Sequence, residues 1–190
     1  MRSADAVGLL AMAIPGRGGT WADLGAGEGV FTRALAELLG PDSRIYAVDR
    51  DARAIAALGR WAKRDAPNVI PVQGDFTGPF ELPGLGRAAL DGLLLANSLH
   101  YVREPGPLLA RLASRLSHGG RVVLVEYDRR GSNPWVPFPI PATRLPELAA
   151  SAGLSMPTIV ARRPSNYGGD LYVAVAAVAT PGLSGTSDPS

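Results

Sequence analysis

Residues 20–31, TWADLGAGEGVF, join a short apolar run to three alternating glycines. The run Thr20–Leu24 has the length and apolar character of a buried strand, and a helix is predicted to begin near Val30. A glycine turn between a strand and a helix N-terminus is where doubly wound α/β sheets bind ligands. Glycine lets the backbone approach a ligand closely and adopt dihedral angles that a Cβ atom disfavours. The segment therefore predicts an α/β sheet with a ligand site at this corner.

The spacing of the glycines separates two classes of nucleotide site. A dinucleotide fingerprint is G-x-G-x-x-G, and its third glycine would fall at Val30. Here the glycines are Gly25, Gly27 and Gly29, and Asp23 stands two residues ahead of the first. This pattern resembles motif I of the class I S-adenosylmethionine-dependent methyltransferases. A tight turn without a ligand is the alternative interpretation of the glycines alone.

Three further apolar runs end in polar residues. They are Ile45–Asp49, Val69–Phe76 and Asp91–Ser98. The carboxyl ends of parallel strands meet at the ligand edge of an open α/β sheet. Four such ends in order favour a nucleotide site like that of the methyltransferases over a bare turn.

The resemblance implies a doubly wound, mostly parallel seven-stranded sheet with helices on both faces and a C-terminal antiparallel hairpin. The fifth strand is predicted at 121–127, and the short connection between 157–163 and 171–177 favours the hairpin. No full helix is predicted between residues 76 and 87, which contain several proline and glycine breaks. Helices are predicted at 3–14 with Ser3 or Asp5 as cap, 29–39, 51–64 with Asp51 as cap, 105–116, and 143–152 with Thr143 as cap. We expect one domain over residues 1–179 and a disordered tail over residues 180–190, which is rich in Pro, Gly and Ser.

Composition excludes several kinds of site. The 190 residues contain no cysteine, which excludes disulfides and thiolate chemistry, and only two histidines, so we expect no metal site. The formal net charge is +2 and the basic residues are scattered, whereas nucleic-acid binding usually needs a basic stripe. No apolar stretch approaches the roughly 20 residues of a membrane span. We therefore expect a cytoplasmic protein with neither a nucleic acid nor a membrane as partner.

The resemblance also implies which residues hold the cofactor, S-adenosylmethionine. Asp49, at the end of the second strand, would accept both ribose hydroxyls, or it would only cap the next helix. Asp75 would accept the adenine amino group, with Phe76 beside the ring, unless Asp75 is only a turn residue after Gly74. The remaining positions are Arg50, which would flank the adenine or be only a surface residue, and Asp23, Gly25, Ala26, Gly27 and Asn97 at the methionine end. The helix predicted over residues 3–14 would cover the methionine end of the cofactor or simply pack on the sheet.

Three residues are candidates for a catalytic base. His100 is the first, because imidazole exchanges protons near neutral pH and the residue follows Asn97 closely. Tyr101 and Glu126 are the next candidates, and a base is needed only if the acceptor must lose a proton. Alternatively, His100 only caps a turn.

The acceptor is expected to be a small molecule, with the methylated atom (O, N or C) left open. No separate recognition domain or N/D-P-P-Y signature of base methylation is evident. Trp135, Phe138 and Tyr167 would line its pocket, or would be core or dimer contacts. The proline-rich segment 133–141 is predicted to be an extended loop that covers the pocket or contacts a second subunit. A homodimer, a non-catalytic cofactor-binding module and a nicotinamide-dependent reductase remain alternatives.

Overall fold

The computed structural model describes residues 2–14, 16–86, 89–165 and 169–178. Seven strands form one sheet: β1 (Thr20–Leu24), β2 (Arg44–Asp49), β3 (Val69–Gln73), β4 (Leu90–Ala96), β5 (Leu116–Asp128), β6 (Thr158–Pro164) and β7 (Asp170–Ala177). Their order across the sheet is β3-β2-β1-β4-β5-β7-β6. The first five strands are parallel, and β7 pairs antiparallel with both β5 and β6. The predicted mostly parallel sheet with a C-terminal antiparallel hairpin is confirmed.

Two apolar layers cover the faces of this sheet. Successive strand residues point to opposite faces, so Leu93 and Leu95 join one layer while Leu94 joins the other. The helices α1 (Ser3–Leu10), α2 (Val30–Leu39) and α3 (Ala52–Asp65) contribute to one layer. The helices α4 (Pro105–Ala113) and α5 (Leu145–Ser151) contribute to the other. Continuous apolar runs such as β4 follow from burial on both faces.

Helix α3 illustrates how the local sequence determines an element. Asp51 Oδ1 accepts hydrogen bonds from the backbone N–H groups of Arg53 at 2.8 Å and Ala54 at 3.4 Å, which is the predicted N-cap. Ala54, Leu58 and Ala62 are buried against the sheet, as their spacing indicates.

Some predicted helix ends are wrong. Helix α1 ends at Leu10 instead of Ile14, and its N-cap is Arg2, whose N–H donates to the Asp5 carboxylate at 3.1 Å. Helix α4 ends at Ala113 because Leu116 already pairs with Leu90 as the first residue of β5.

Helix α5 also begins later than predicted. A short 3₁₀ turn, Ala142–Arg144, precedes it, so Arg144 is the N-cap and Thr143 is not. The segment from 76 to 86 contains no helix or strand, as its prolines and glycines predict. The tail predicted over residues 180–190 lies outside the described residues.

No helix in the described ranges is both long enough and apolar enough to span a membrane.

Candidate functional site

The glycine turn joins β1 to α2 at the carboxyl edge of the sheet. Gly25, Gly27 and Gly29 have φ angles of 82°, 53° and 83°, which side chains rarely adopt. A Cβ atom at Gly25 would collide with Ser98, and one at Gly29 would collide with Leu58. A Cβ atom at Gly27 would meet nothing within 4 Å. The outer glycines are therefore fixed by packing, whereas Gly27 faces open space.

Asp49 links this turn to the end of β2. Its Oδ2 accepts a hydrogen bond from the Gly27 N–H at 2.7 Å, and its Oδ1 accepts from the Asp51 N–H at 2.8 Å. Each carboxylate oxygen has a second lone pair, so both remain able to accept a hydrogen bond from a ligand. The strand end thus both orders the turn and presents a carboxylate at the ligand edge.

A cavity of about 480 Å³ lies beside this carboxylate, and we call it the main cavity. It is lined by Gly25, Asp49, Arg50, Asp51, Gly74, Asp75, Phe76, Thr77, Asn97, Ser98, Tyr101 and Val102. Most of the predicted cofactor residues are among them. Asp23, Ala26 and Gly27 are not, although they belong to the adjoining strand and turn. No α1 residue among those described lines the main cavity, which favours the packing role for that helix.

Asp75 is held in an acceptor orientation by the residue two positions later. Its Oδ1 accepts from the Thr77 hydroxyl at 2.7 Å and from the Thr77 N–H at 2.9 Å. These hydrogen bonds, with a smaller contribution from the positive charge of Arg50, lower the pKa of Asp75 below its usual range. Asp75 is therefore an ionised acceptor at neutral pH.

Arg111 is a residue of this region that the sequence did not reveal. From α4, its guanidinium donates to the carbonyl oxygens of Phe76 at 2.8 Å, Thr77 at 3.0 Å and Gly78 at 3.0 Å. It fixes the loop that carries Asp75 and Phe76. No motif marks this arginine, because its partners are backbone atoms about 35 residues earlier.

Two residues predicted to bind the methionine end carry buried oxygen atoms without hydrogen-bond partners among the described residues. Asp23 is 1% exposed, and its Oδ2 accepts from Thr32 Oγ1 at 2.6 Å while its Oδ1 has no partner. Burial raises the pKa of Asp23 to about 7, opposed by the Thr32 hydrogen bond and assisted by the negative charge of Asp49. Asn97 has a φ of 55° and an unpartnered Oδ1. Strained residues and orphaned polar atoms are features of ligand sites.

A second cavity, of about 340 Å³, adjoins the first, and we call it the aromatic cavity. It is lined by Asn97, His100, Tyr101, Tyr127, Trp135 and Val136. Asn97 and Tyr101 line both cavities, so the two meet at these residues. Tyr127 and Val136 were not expected in the pocket.

The other predicted pocket residues have different outcomes. Phe138 does not line the aromatic cavity; its ring lies 4.9 Å from the Arg103 guanidinium, and its N–H donates to the His100 carbonyl at 3.0 Å. Tyr167 lies outside the described residues.

His100 and Glu126 form a buried pair at the wall of the aromatic cavity. His100 Nδ1 lies 2.7 Å from Glu126 Oε2, and the two side chains are 2% and 0% exposed. Glu126 Oε1 accepts from the N–H groups of Leu99 and His100, both at 3.1 Å. Glu126 therefore orients the histidine from behind, while Tyr101 is 54% exposed at the junction of the cavities.

The donor set fits S-adenosylmethionine. Asp49 and Asp75 are carboxylate acceptors for hydroxyl and amino groups, and Phe76 provides a flat apolar surface. The unpartnered oxygens of Asp23 and Asn97 suit an ammonium group, which has three donors and no acceptor. In the described part of the chain, no group of three or more His, Asp or Glu residues could hold a metal ion.

A family model described as a methyltransferase domain matches residues 22–122, more than half of the chain. The ribosomal RNA small subunit methyltransferase H of Chromobacterium violaceum is 38% identical over 77 residues, which are 40% of this chain and 24% of that protein. The corresponding protein of Trichlorobacter lovleyi is 38% identical over 82 residues, 43% of this chain and 26% of that protein. The chain thus spans about a quarter of the length of these curated relatives.

The fold is shared with solved methyltransferases. A SAM-dependent methyltransferase from Aquifex aeolicus superposes with a TM-score of 0.71 at 17% identity, over 92% of this chain and 90% of that one. A magnesium protoporphyrin IX methyltransferase from Synechocystis, solved with bound SAM, gives 0.67 at 14% identity over 93% and 78%. The chain therefore belongs to the methyltransferase domain family, and its fold is that of the class I methyltransferases that use S-adenosylmethionine.

Proposed function

We propose that this protein transfers the methyl group of S-adenosylmethionine to a small-molecule acceptor bound in the aromatic cavity. The observation that carries the proposal is the junction of the two cavities at Asn97 and Tyr101. One cavity has the acidic strand ends of a nucleoside site, and the other has an aromatic wall and a buried histidine. A methyl group passing between two ligands needs such a common boundary.

The main cavity supplies the contacts for the cofactor. Asp49 takes the ribose hydroxyls, Asp75 and Phe76 take the adenine, and Arg50 flanks it. Asp23, Gly25, Ala26, Gly27 and Asn97 surround the methionine end, and Gly74 lies in the cavity wall next to Asp75. When bound, S-adenosylmethionine supplies an activated methyl group: the acceptor atom forms the new bond as the S–C bond breaks and sulfur keeps the electron pair. The protein contributes chiefly position, which lowers such barriers by about 7–11 kcal/mol.

The size and charge of the aromatic cavity support a small acceptor. Its volume is about 340 Å³, and none of its six described lining residues carries a fixed positive charge. A polynucleotide needs cationic groups along its phosphates. The ribosomal RNA methyltransferases match only about two fifths of this chain, so their acceptor is not transferred to it. Methylation of ribosomal RNA, but of no small molecule, by the purified protein would refute the small-acceptor proposal.

We predict that Asp49→Ala weakens binding of S-adenosylmethionine at least tenfold, about 1.4 kcal/mol. The side chain supplies two acceptors to one ligand, whereas its own hydrogen bonds to Gly27 and Asp51 are accessible enough for water to replace. The apo form should therefore lose no more than about 1 kcal/mol of stability. Isothermal calorimetry and thermal unfolding measure the two effects.

Asp91→Ala is the matched control, since Asp91 Oδ2 also accepts a backbone N–H, that of Thr20 at 2.7 Å, but at the opposite edge of the sheet. Its affinity for S-adenosylmethionine should be unchanged. If Asp49→Ala lowered the stability of the apo protein by as much free energy as it lowered the affinity for S-adenosylmethionine, Asp49 would have only a structural role.

We predict that Trp135→Ala retains cofactor affinity but loses methyl transfer. Trp135 is 70% exposed and lines the aromatic cavity, and Asn133 Oδ1 holds its N–H at 2.9 Å. In this proposal the segment 133–141 covers the acceptor and keeps water out. Calorimetry with S-adenosylmethionine and a methyl-transfer assay separate the two properties, and Met156→Ala, at an equally exposed apolar residue, is the control.

The competing role for Trp135 is a subunit contact. Sedimentation of the wild type and Trp135→Ala proteins distinguishes it. A change from dimer to monomer in the variant, with methyl transfer per folded chain retained, would show that Trp135 contacts a second subunit and does not cover the acceptor.

A further inference from the structure

We infer that the acceptor is a phenolic hydroxyl compound whose proton passes to His100 Nε2, with Glu126 as the residue that positions the imidazole. This inference rests on the proposed function and specifies the substrate class of the aromatic cavity. It is supported by two independent features: the hydrogen bonds of the His100–Glu126 pair and the composition of the cavity wall.

The hydrogen bonds determine which nitrogen can act as a base. Glu126 Oε1 already accepts two backbone N–H groups, and a carboxylate can only accept. With Glu126 ionised, the 2.7 Å contact between Glu126 Oε2 and His100 Nδ1 places the proton on Nδ1. In the neutral ring, Nε2 then carries the lone pair. A carboxylate behind a histidine fixes both the tautomer and the orientation of the ring in this way.

The pair is also suited to hold the proton that it receives. Proton transfer breaks the O–H bond of the acceptor and forms an N–H bond at Nε2, and the electron pair stays on oxygen to form the bond to the methyl carbon. The resulting imidazolium lies beside the Glu126 carboxylate, which stabilises the positive charge. Release of the proton to water then restores the neutral ring.

The wall of the cavity selects a flat, uncharged molecule. The His100 ring centroid lies 4.5 Å from that of Tyr101 and 5.9 Å from that of Tyr127, with both pairs of rings tilted. Trp135 adds a third aromatic side chain near the opening, and no described lining residue is acidic or basic apart from His100. Aromatic rings pack at such distances with a further ring in offset or edge-to-face geometry.

The need for a base limits which kind of acceptor atom is methylated. A neutral amine already presents a lone pair, so a buried base has no role before transfer. An aliphatic hydroxyl holds its proton too tightly for imidazole to remove readily, whereas a phenol such as the tyrosine side chain ionises near pH 10. A phenolic hydroxyl is the group that fits both the aromatic wall and a histidine base.

The first test reports the tautomer without reference to turnover. The chain has only two histidines, so ¹⁵N NMR of the imidazoles is assigned by the single variant His118→Gln. We expect the Nδ1–H form for His100 in the wild type. In Glu126→Gln the side-chain amide donates to Nδ1, so the Nε2–H form is expected. An Nε2–H tautomer in the wild type would overturn the inference.

The second test uses 4-nitrophenol, whose ionised form absorbs visible light. It is added to the protein with bound S-adenosylhomocysteine, and the visible band is followed against pH. The wild type should ionise the bound phenol at a lower pH than water does. At the same pH, the ionised fraction of bound 4-nitrophenol should be about tenfold or more lower in His100→Gln and in Glu126→Gln than in the wild type. In His118→Gln it should equal that of the wild type.

Activity completes the comparison. If 4-nitrophenol is methylated, kcat should be lower by roughly 100-fold or more in His100→Gln and in Glu126→Gln, with little change in KM. A loss of this size is the range for a general base. Bound cofactor together with 4-nitrophenol that does not bind, or that ionises equally in His100→Gln, would refute the phenol inference alone. Failure of S-adenosylmethionine itself to bind would refute the proposed function instead.

Discussion

Replacing Gly27 by valine is expected to reduce the affinity for S-adenosylmethionine by more than roughly 100-fold, about 2.7 kcal/mol. A Cβ atom at this position would meet no protein atom within 4 Å, so the space in front of Gly27 is free for a ligand. A branched side chain would occupy that space. The same carboxylate that accepts the Gly27 N–H, that of Asp49, lines the main cavity, so we expect the obstruction beside this cavity and not in the core.

The backbone cost of this substitution must be separated from the loss of binding. Gly27 has a φ of 53°, so any L-residue there loses about 1–2 kcal/mol of folding free energy. Gly153 is a matched control, because its φ is 67° and its Cβ position is also open, but it follows α5. Gly153→Val should lose similar stability in denaturant unfolding and keep full affinity in calorimetry. Unaltered affinity of a folded Gly27→Val protein would remove the turn from the site.

The fold was predictable because each of its signals is local. The strands β1 to β4 are short apolar runs; β1 and β3 are each followed by a glycine, and β2 ends in an acid. Helix α2 begins at Val30, directly after the third glycine of the turn. The antiparallel hairpin followed from a short connection. The helix ends were less predictable. Leu116 fits the apolar face of α4 by spacing, but its pairing with Leu90 places it in β5, and that pairing is a tertiary contact.

The sequence predicted only part of the candidate site. As with the fold, local signals were recognisable, whereas contacts between residues far apart in the sequence were not. Asp49 and Asp75, which end or follow neighbouring strands, line the main cavity together because the sheet brings those strand ends to one edge. The contact of His100 with Glu126 joins residues 26 positions apart, so the sequence offered them as separate candidates for a base. Arg111 binds backbone carbonyl groups and has no recognisable motif.

The second large effect that we expect is a pH dependence of the folding stability caused by Asp23. Burial raises the pKa of Asp23 in the folded chain from 3.8 to about 7. The folded state then binds more protons than the unfolded state between these values, so stability decreases as pH rises from about 4 to about 7. A difference of about three pKa units corresponds to a loss of roughly 4 kcal/mol.

Asp23→Asn removes this ionisation. Its apo stability should not show that decrease, so between pH 5 and pH 8 the stability of the variant relative to the wild type should rise by roughly 2.6 kcal/mol. Urea unfolding at the two pH values measures the difference. Asp42→Asn, at an exposed carboxyl group, should follow the wild-type curve.

Cofactor binding should respond to the same substitution in the opposite direction. A cation held near Asp23 and Asn97 favours the ionised carboxylate, so wild-type affinity for S-adenosylmethionine should rise with pH through about 7, the pKa of Asp23. Asp23→Asn should be more stable at pH 8, yet bind at least tenfold more weakly and with little pH dependence, a difference of about 1.4 kcal/mol. Calorimetry from pH 6 to pH 8.5 tests this. A variant that gains stability and keeps wild-type affinity at every pH would make Asp23 a buried core acid without a part in binding the cofactor.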